Sequence, residues 1–248
     1  MNIDLSGRRA IICGGSRGIG KAIAMGFAAC GGAVSICARD PDTLEQTRAA
    51  IAGYGHTSHA TAVDLSKGDA VRTYVASASA ALGGIDFLVN NASAFGSSDD
   101  EKGWTDSLAL DMLSIVHATQ AALPALRESQ GSVLNLSSLA AFHPSARQPP
   151  YGAIKAAVIH YTATQAAMYA KDRIRVNCLA PGSVEFPGGL WERRKTENPS
   201  LYNAMLASIP FGRMGLPEDV ANVALFLASP LASWVTGQTI VVAGAQGL

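Results

Sequence analysis

The sequence has no excess of charge of either sign, because 19 lysines and arginines balance 19 aspartates and glutamates. A neutral chain gives no reason to expect a nucleic acid or an anionic membrane surface as its partner, so a small molecule is expected. No apolar run approaches the ~20 residues that span a bilayer, and the first residues lack the basic and apolar segments of a secretory signal. We therefore expect a cytoplasmic protein without a membrane partner.

Cysteine is also scarce, with four residues in 248 and no C-x-x-C spacing. Each cysteine lies in an apolar run, where a buried free thiol is the simplest interpretation: Cys13, Cys30, Cys37 and Cys178. Four of the five histidines have no Cys, Asp or Glu partner at ligand spacing, which argues against a metal site. The fifth, His143, lies in a loop where it is either solvated or a substrate contact.

The sequence does contain a regular alternation of short apolar runs and helical segments. Seven runs predict strands, at residues 8–13, 33–38, 56–63, 86–89, 131–136, 173–179 and 238–242. Six segments predict helices, at residues 21–30, 41–52, 67–82, 104–128, 149–169 and 217–228. This order favours an α/β, doubly wound fold with a central, mostly parallel seven-stranded sheet and helices on both faces. Ligand-binding clefts are expected at the carboxyl ends of the strands.

The first predicted strand runs into a glycine-rich turn, Gly14-Gly15-Ser16-Arg17-Gly18-Ile19-Gly20, which precedes a helix. Such a turn lets the backbone approach a pyrophosphate, although a plain strand-to-helix connection is the alternative. The second strand ends in Arg39, where folds that bind NAD commonly have an acidic residue. Asp40 follows one residue late, where a helix N-cap is its simpler role. Arg17 and Arg39 together favour NADP(H) over NAD(H).

A tyrosine and a lysine four residues apart, Tyr151 and Lys155, lie near the start of the predicted helix 149–169. On a helix this spacing puts both side chains on one face. A free tyrosine titrates near ~10, and a fixed cation beside it favours the ionised form, which suits the pair to acid–base chemistry. Ser138 ends the fifth predicted strand and can point into the same cleft.

Residues 185–214 interrupt the alternation of strands and helices. The segment combines Pro187-Gly188-Gly189 with aromatic residues and the basic run Arg193-Arg194-Lys195. A long insertion at the ligand edge predicts a substrate lid, and its apolar residues predict a largely apolar substrate. The basic run is most simply a solvated helix face; the alternative is recognition of an acidic group or an acidic carrier protein.

These motifs, together with Asn90-Asn91-Ala92 and Pro181-Gly182, resemble those of the single-domain short-chain dehydrogenase/reductase family over nearly the whole chain. The resemblance implies a Rossmann-type fold and a single dinucleotide-binding catalytic domain over residues 1–248. It also implies that Tyr151 is the acid or base, that Ser138 hydrogen-bonds the substrate oxygen, and that Lys155 binds the nicotinamide ribose. Members of the family are usually dimers or tetramers, so a homodimer or homotetramer is expected.

The resemblance further implies which residues contact the cofactor. The predicted cofactor contacts are Gly14, Ser16, Arg17, Gly18, Ile19, Gly20, Asp64, Leu65, Asn91 and Val184, in addition to Arg39, Tyr151 and Lys155. The fourth catalytic residue of the family, usually asparagine, is Asp111 here, and its main-chain carbonyl is implied to anchor a water in a proton relay. An aspartate that ionises beside Lys155 would alter the pH dependence. Ser93, Phe186 and Ala243 also replace the residues usual in the family.

The sequence therefore predicts an NADP(H)-dependent oxidoreductase that transfers a hydride between the nicotinamide and a ketone or secondary alcohol of largely apolar character. A 3-oxoacyl-carrier-protein reductase is the alternative within the same family. A non-catalytic NADP(H) sensor or scaffold is the alternative of another class. The departures from the family pattern invite this last alternative, and the intact Ser138, Tyr151 and Lys155 oppose it.

Overall fold

The computed structural model describes residues 3–247, which contain one seven-stranded sheet. In chain order the strands are β1 (Arg9–Cys13), β2 (Ala33–Ala38), β3 (Ser58–Ala62), β4 (Phe87–Asn90), β5 (Ser132–Leu136), β6 (Arg175–Pro181) and β7 (Thr239–Val242). Their order across the sheet is β3-β2-β1-β4-β5-β6-β7, and every neighbouring pair is parallel. The predicted doubly wound fold is confirmed, and its sheet is parallel throughout.

The α-helices found in residues 3–247 are α1 (Gly18–Ala29), α2 (Pro41–Ala52), α3 (Gly68–Leu82), α4 (Glu101–Ser107), α5 (Ser114–Ser129), α6 (Pro149–Tyr169), α7 (Leu190–Glu197), α8 (Pro199–Ala207) and α9 (Pro217–Ala228). The predicted helix 104–128 is divided. It begins earlier, as α4, and continues as α5 after a π-helical turn at Leu108–Leu113. Residues 185–214 contain α7 and α8, whose bounds the sequence did not predict.

Helices cover both faces of the sheet because successive strand residues point to opposite sides. In β1, Ile11 belongs to a core that contains Tyr74 of α3 and Leu126 of α5. The next residue, Ile12, belongs to the core on the other face, which contains Phe27 of α1. Each of these side chains is at most 1% exposed, and burying one stabilises the fold by ~1.5–3 kcal/mol.

The register of the parallel strands brings the predicted motifs to one edge of the sheet. Cys13 of β1 pairs with Asn90 of β4, Asn90 with Asn135 of β5, and Asn135 with Cys178 of β6. The loops that follow these strands include the glycine turn and Ser138. Because β2 and β4 flank β1 on opposite sides, the winding of the chain reverses beside β1, where such folds bind ligands.

All four cysteines carry free thiols; Cys13, Cys37 and Cys178 are buried as predicted, whereas Cys30 is only half-buried. Within residues 3–247, no helix combines the length and the apolar composition needed to cross a bilayer. Over the same residues, no group of three His, Cys, Asp or Glu side chains is placed to hold a metal ion.

Candidate active site

The glycine turn between β1 and α1 is held by a side chain from the loop after β4. Asn91 donates a hydrogen bond from Nδ2 to the Gly14 carbonyl oxygen at 2.7 Å. Gly14 has a φ of 84°, in the region that favours glycine. A side chain on Gly20 would collide with the Gly14 carbonyl and the Asn91 amide. The close packing of the turn therefore requires glycine at both positions.

Helix α1 begins at Gly18 without a side-chain cap. Its N-cap residue, Arg17, makes no capping hydrogen bond, and the first turn contains no acidic residue. The first N–H groups of the helix and the positive end of its dipole are therefore available to a ligand. A pyrophosphate is the kind of ligand that such a helix end binds, so the residues present fit a dinucleotide.

A groove of about 510 Å³ follows the glycine turn and the ends of β2 and β3. Eight of the predicted cofactor residues line it: Gly14, Ser16, Arg17, Gly18, Ile19, Arg39, Leu65 and Asn91. Gly20 does not line it, because it is buried within α1. Asp64 does not line it either. Its carboxylate accepts hydrogen bonds from Ser66 Oγ and N at 2.8 and 3.0 Å, which lower the pKa of Asp64 and stabilise the turn after β3.

Two arginines, Arg17 and Arg39, line the groove, and Asp40 lines it as well. Within residues 3–247, neither Arg17 nor Arg39 forms an ion pair. Asp40 caps α2 by accepting from Thr43 N at 2.8 Å, the N-cap role that the sequence predicted. Hydrogen bonds from Thr43 also lower the pKa of Asp40. The carboxylate nearest to Arg39 in the chain is thus engaged by the helix.

A second cavity, of about 380 Å³, continues from the groove toward α6. Six residues line both parts: Arg17, Ile19, Asn91, Ser93, Phe95 and Phe186. We call this second part the reaction cavity, because Ser138, Tyr151, Lys155 and Val184 line it. The structure therefore brings Ser138, Tyr151 and Lys155 together with Val184, which the sequence predicted to contact the cofactor.

Ser138 and Tyr151 reach the reaction cavity from the end of β5 and the first turn of α6. Ser138 Oγ accepts from Ala140 N at 3.2 Å, which leaves its hydroxyl proton to donate to a ligand. Tyr151 stacks on Phe95 with the ring centroids 5.5 Å apart. Phe95 has a φ of 53°, which is uncommon for an aromatic residue and typical of functional sites. No pattern in the sequence predicted its place.

Lys155 is buried in the wall of the reaction cavity, with 2% of its surface exposed. Its Nζ donates to the Leu136 carbonyl oxygen at 2.9 Å and lies 3.0 Å from Asp111 Oδ1. Burial acts to lower the pKa of Lys155, but the charges of Asp111 and Tyr151 outweigh it, so this pKa lies above its ordinary value. The lysine is therefore a fixed cation beside Tyr151, with Nζ 5.7 Å from the ring centroid.

Asp111 is fully buried in the π-helical turn between α4 and α5, behind the reaction cavity and not among its lining residues. Its Oδ2 accepts from Ala94 N at 3.0 Å, which ties the turn to the loop after β4. Its Oδ1 lies within ion-pair distance of Lys155 without the alignment of a hydrogen bond. The geometry thus makes the side chain the counter-ion of Lys155, and π-helical turns often mark functional sites.

Glu185 connects the two helices of segment 185–214 to the start of the segment. This carboxylate accepts hydrogen bonds from Tyr202 Oη at 2.5 Å and Lys195 Nζ at 3.2 Å, and these contacts lower the pKa of Glu185. Phe186 packs on the glycine turn, so closely that a side chain on Gly18 would meet its ring at 2.7 Å. The segment therefore touches the groove as well as the reaction cavity.

Two further sequence interpretations concern side chains near the cleft. Arg193 and Arg194 line the reaction cavity, but Arg193 is exposed and the Arg194 side chain is 41% exposed, so the solvated helix face that the sequence favoured is compatible with the structure. Lys195 does not line the reaction cavity. His143 is exposed beside Gly247 and outside the lining of both parts of the cleft, which fits the solvated interpretation rather than a substrate contact.

Residues 14–245 match a family model described as "Enoyl-(Acyl carrier protein) reductase". The structure is similar to an NADPH-bound short-chain oxidoreductase of Pseudomonas aeruginosa, with a TM-score of 0.91 and 33% identity over 98% of this chain and 97% of that one. The chain belongs to the short-chain dehydrogenase/reductase family. It is therefore a dehydrogenase or reductase of the class that uses a nicotinamide cofactor.

Relatives of this short-chain dehydrogenase/reductase act on different substrates. A 3-oxoacyl-[acyl-carrier-protein] reductase of Chlamydia pneumoniae is 36% identical over 252 residues, which cover 98% of each chain. A 7α-hydroxysteroid dehydrogenase complexed with NADH and 7-oxo glycochenodeoxycholic acid has a TM-score of 0.92 and 32% identity, over 99% of this chain and 96% of that one. The relatives thus differ in both substrate and cofactor.

Proposed function

We propose that this short-chain dehydrogenase/reductase is an NADP(H)-dependent enzyme that interconverts a ketone and a secondary alcohol on a small molecule of largely apolar character. The observation that carries the proposal is the reaction cavity, in which Ser138, Tyr151 and Lys155 meet at the end of the groove. A non-catalytic sensor would have no need for a buried lysine held beside a tyrosine at a cleft. We therefore favour an enzyme.

The preference for NADP(H) rests on Arg17 and Arg39. An arginine at the end of the second strand can accommodate a 2′-phosphate, whereas an acidic residue there binds the free ribose hydroxyl. Asp40 is engaged at the N-cap of α2. Among relatives, one structure contains NADH and another NADPH, so family membership alone favours neither.

In the proposed reaction, the bound cofactor supplies or accepts the hydride, and the chain moves the proton. During reduction, Tyr151 donates its hydroxyl proton to the carbonyl oxygen, while Ser138 donates a hydrogen bond to the same oxygen. Lys155 stabilises the tyrosinate that is left. Asp111 holds Lys155 protonated and in place through the 3.0 Å contact. Asp111 is thus a positioning residue rather than one that touches the substrate.

A 3-oxoacyl-carrier-protein reductase remains the second candidate, and the 36% identity to the Chlamydia pneumoniae enzyme favours it. The two candidates share the same proton chemistry and differ in what surrounds the carbonyl. Turnover of a carrier-bound thioester compared with turnover of a simple cyclic ketone distinguishes them.

We further propose that the chain works as one catalytic domain with segment 185–214 as a substrate lid, in a cytoplasmic homodimer or homotetramer. Trp234 is 97% exposed and Phe211 is 75% exposed, and an interface with a second copy would cover such side chains. Light scattering tests this part, and a monomeric mass would contradict it.

The proposal is tested by NADPH oxidation over a panel of ketones, with Tyr151→Phe as the decisive variant. We expect the variant to lose ~10²–10⁴-fold in kcat, because the proton donor is removed. Its affinity for NADP(H), measured by nucleotide fluorescence, should stay within a few-fold of wild type. Near-normal turnover by the variant would refute the mechanism. Nucleotide binding without turnover of any ketone by the wild type would favour the sensor.

A further inference from the structure

The reaction cavity has a positive charge that the protein as a whole lacks. Four cationic side chains line it, and among residues 3–247 no aspartate or glutamate does: Arg17, Lys155, Arg193 and Arg194. The full chain has equal numbers of basic and acidic residues. A cleft lined by charge of one sign attracts ligands of the opposite sign.

Two of these four cations, Lys155 and Arg17, already have a role in the proposed reaction. Lys155 is paired with Asp111 at 3.0 Å. Arg17 also lines the groove, where the phosphates of the cofactor are expected. Arg193 and Arg194 line the reaction cavity but not the groove, so binding of the cofactor phosphates does not explain them.

Packing of α7 does not explain the two arginines either. Within residues 3–247, Arg193 forms no ion pair, and Arg194 approaches only Glu197, at 3.7 Å. Their neighbour Lys195 instead pairs with Glu185 at 3.2 Å, which ties α7 to the start of segment 185–214. One short helix therefore uses one cation within segment 185–214 and places two others among the lining residues of the cavity, where both stay open to solvent.

We propose that the substrate carries a carboxylate, which Arg193 and Arg194 bind while the carbonyl lies at Tyr151. This inference rests on the proposed function, because it names the substrate class of the same cavity. Guanidinium groups form paired, charge-assisted hydrogen bonds with carboxylates. The aromatic and aliphatic residues Phe95, Leu190 and Trp191 line the same cavity. The substrate is accordingly an oxo acid with an apolar body between its two polar ends.

The test uses a cyclohexanone that carries a propanoate chain, together with its neutral methyl ester. Their affinities for the enzyme–NADP⁺ complex are measured by calorimetry, and their kcat/KM values with NADPH by steady-state kinetics. We expect the acid to bind about tenfold or more tightly than the ester, as for a charge-assisted contact that is partly exposed to water. In the double variant R193Q/R194Q the acid-to-ester ratio should fall to about one-tenth of its wild-type value. Arg72→Gln removes one charge from the exposed face of α3, outside the lining of the cavity, and should leave the ratio unchanged.

The outcomes separate this inference from the proposed function. An acid-to-ester ratio near unity in the wild type, or a ratio that R193Q/R194Q does not change, overturns the inference. Loss of NADP⁺ affinity in the double variant would instead assign the arginines to the cofactor. A double variant impaired only with a carrier-bound thioester would assign them to a carrier protein. Preferential binding of the acid without turnover of any ketone supports the inference and contradicts the proposed function.

Discussion

The buried ion pair of Lys155 and Asp111 predicts a stability defect that depends on pH. Both side chains are at most 3% exposed, and their charged atoms lie 3.0 Å apart. Replacing Asp111 by alanine leaves a buried lysine without its counter-ion. Removing one partner of a buried pair typically costs ~3–5 kcal/mol. We therefore expect Asp111→Ala to lose about that much free energy of unfolding at pH 7.

The lysine can limit this cost by releasing its proton. Burial is the largest influence on the pKa of Lys155, and in the variant Asp111 no longer opposes it, so we expect this pKa to fall below its ordinary value of 10.5. Releasing the proton costs ~1.4 kcal/mol per pH unit below that value, which is about 5 kcal/mol at pH 7 and about 2 kcal/mol at pH 9. The part of the destabilisation that comes from the unpaired lysine charge cannot exceed these limits, and the lost acceptor of Ala94 N adds a cost that does not depend on pH in this range.

The direction of the pH dependence follows from the number of protons that Lys155 binds in the folded and unfolded states. Between the lowered pKa and 10.5, the unfolded variant binds a proton that the folded variant has lost, so its stability rises with pH. In the wild type the pKa of Lys155 is raised, and its contribution to stability is lost only above 10.5. The difference between the two proteins should shrink from pH 7 to pH 9.

Urea unfolding at equal protein concentration and at both pH values measures this difference, with the slope m as a check on the unfolding model. Asp111→Asn keeps an oxygen for Ala94 N and should show a smaller defect. Asp172→Ala breaks an exposed pair with Arg127, and it should cost less than ~1 kcal/mol at either pH. An equal loss at pH 7 and pH 9 for Asp111→Ala, or none at pH 7, would refute the reasoning.

Three further variants test the cleft. Ser138→Ala should lower kcat by ~10²–10³-fold with little change in NADP(H) affinity, because one donor to the substrate oxygen is lost; steady-state kinetics with fluorescence titration checks this. Arg39→Gln should lower the ratio of kcat/KM for NADPH to that for NADH by about tenfold, since a charge-assisted contact is removed; initial rates with the two nucleotides give the ratio. Gly20→Ala should weaken NADP(H) binding by about tenfold or more, because the added methyl group displaces the Gly14 carbonyl; Gly53→Ala, at the surface end of α2, is its control.

Each of these variants has a result that contradicts its premise. Unchanged kcat in the serine variant would remove Ser138 from the reaction. An unchanged nucleotide ratio would mean that Arg39 does not contact a 2′-phosphate. If Gly20→Ala bound NADP(H) as well as Gly53→Ala does, the glycine turn would not need its close packing.

The sheet was predictable because burial on both faces produces continuous apolar runs, and the turns between them carry glycine and proline. The positions of Ser138, Tyr151 and Lys155 were predictable for a related reason. Strand ends converge at one edge, and a spacing of four residues fixes one helical face. These are local properties of the chain, and they needed no knowledge of tertiary contacts.

The rest of the site depends on contacts between distant segments. The π-helical turn that places Asp111 has no signature in the sequence. The Asp111 side chain is held there by Lys155 and by Ala94 N, which belong to other segments of the chain. Phe95 owes its place to a backbone conformation that residue type does not favour. The place of Arg193 depends on where α7 begins and on the contact that ties Lys195 of α7 to Glu185.

The π-helical turn at Leu108–Leu113 makes the site sensitive to the number of residues as well as to their identity. Such a turn holds one residue more than an α-helical turn. Deleting a single residue from it would restore a regular helix and, because the extra residue lies in the turn itself, would redirect the side chains of that turn, which are about 100° apart per residue in an α-helix. Asp111 would then leave Lys155 although every side chain of the reaction cavity was still present. Chain length in this segment is therefore constrained as tightly as any single side chain.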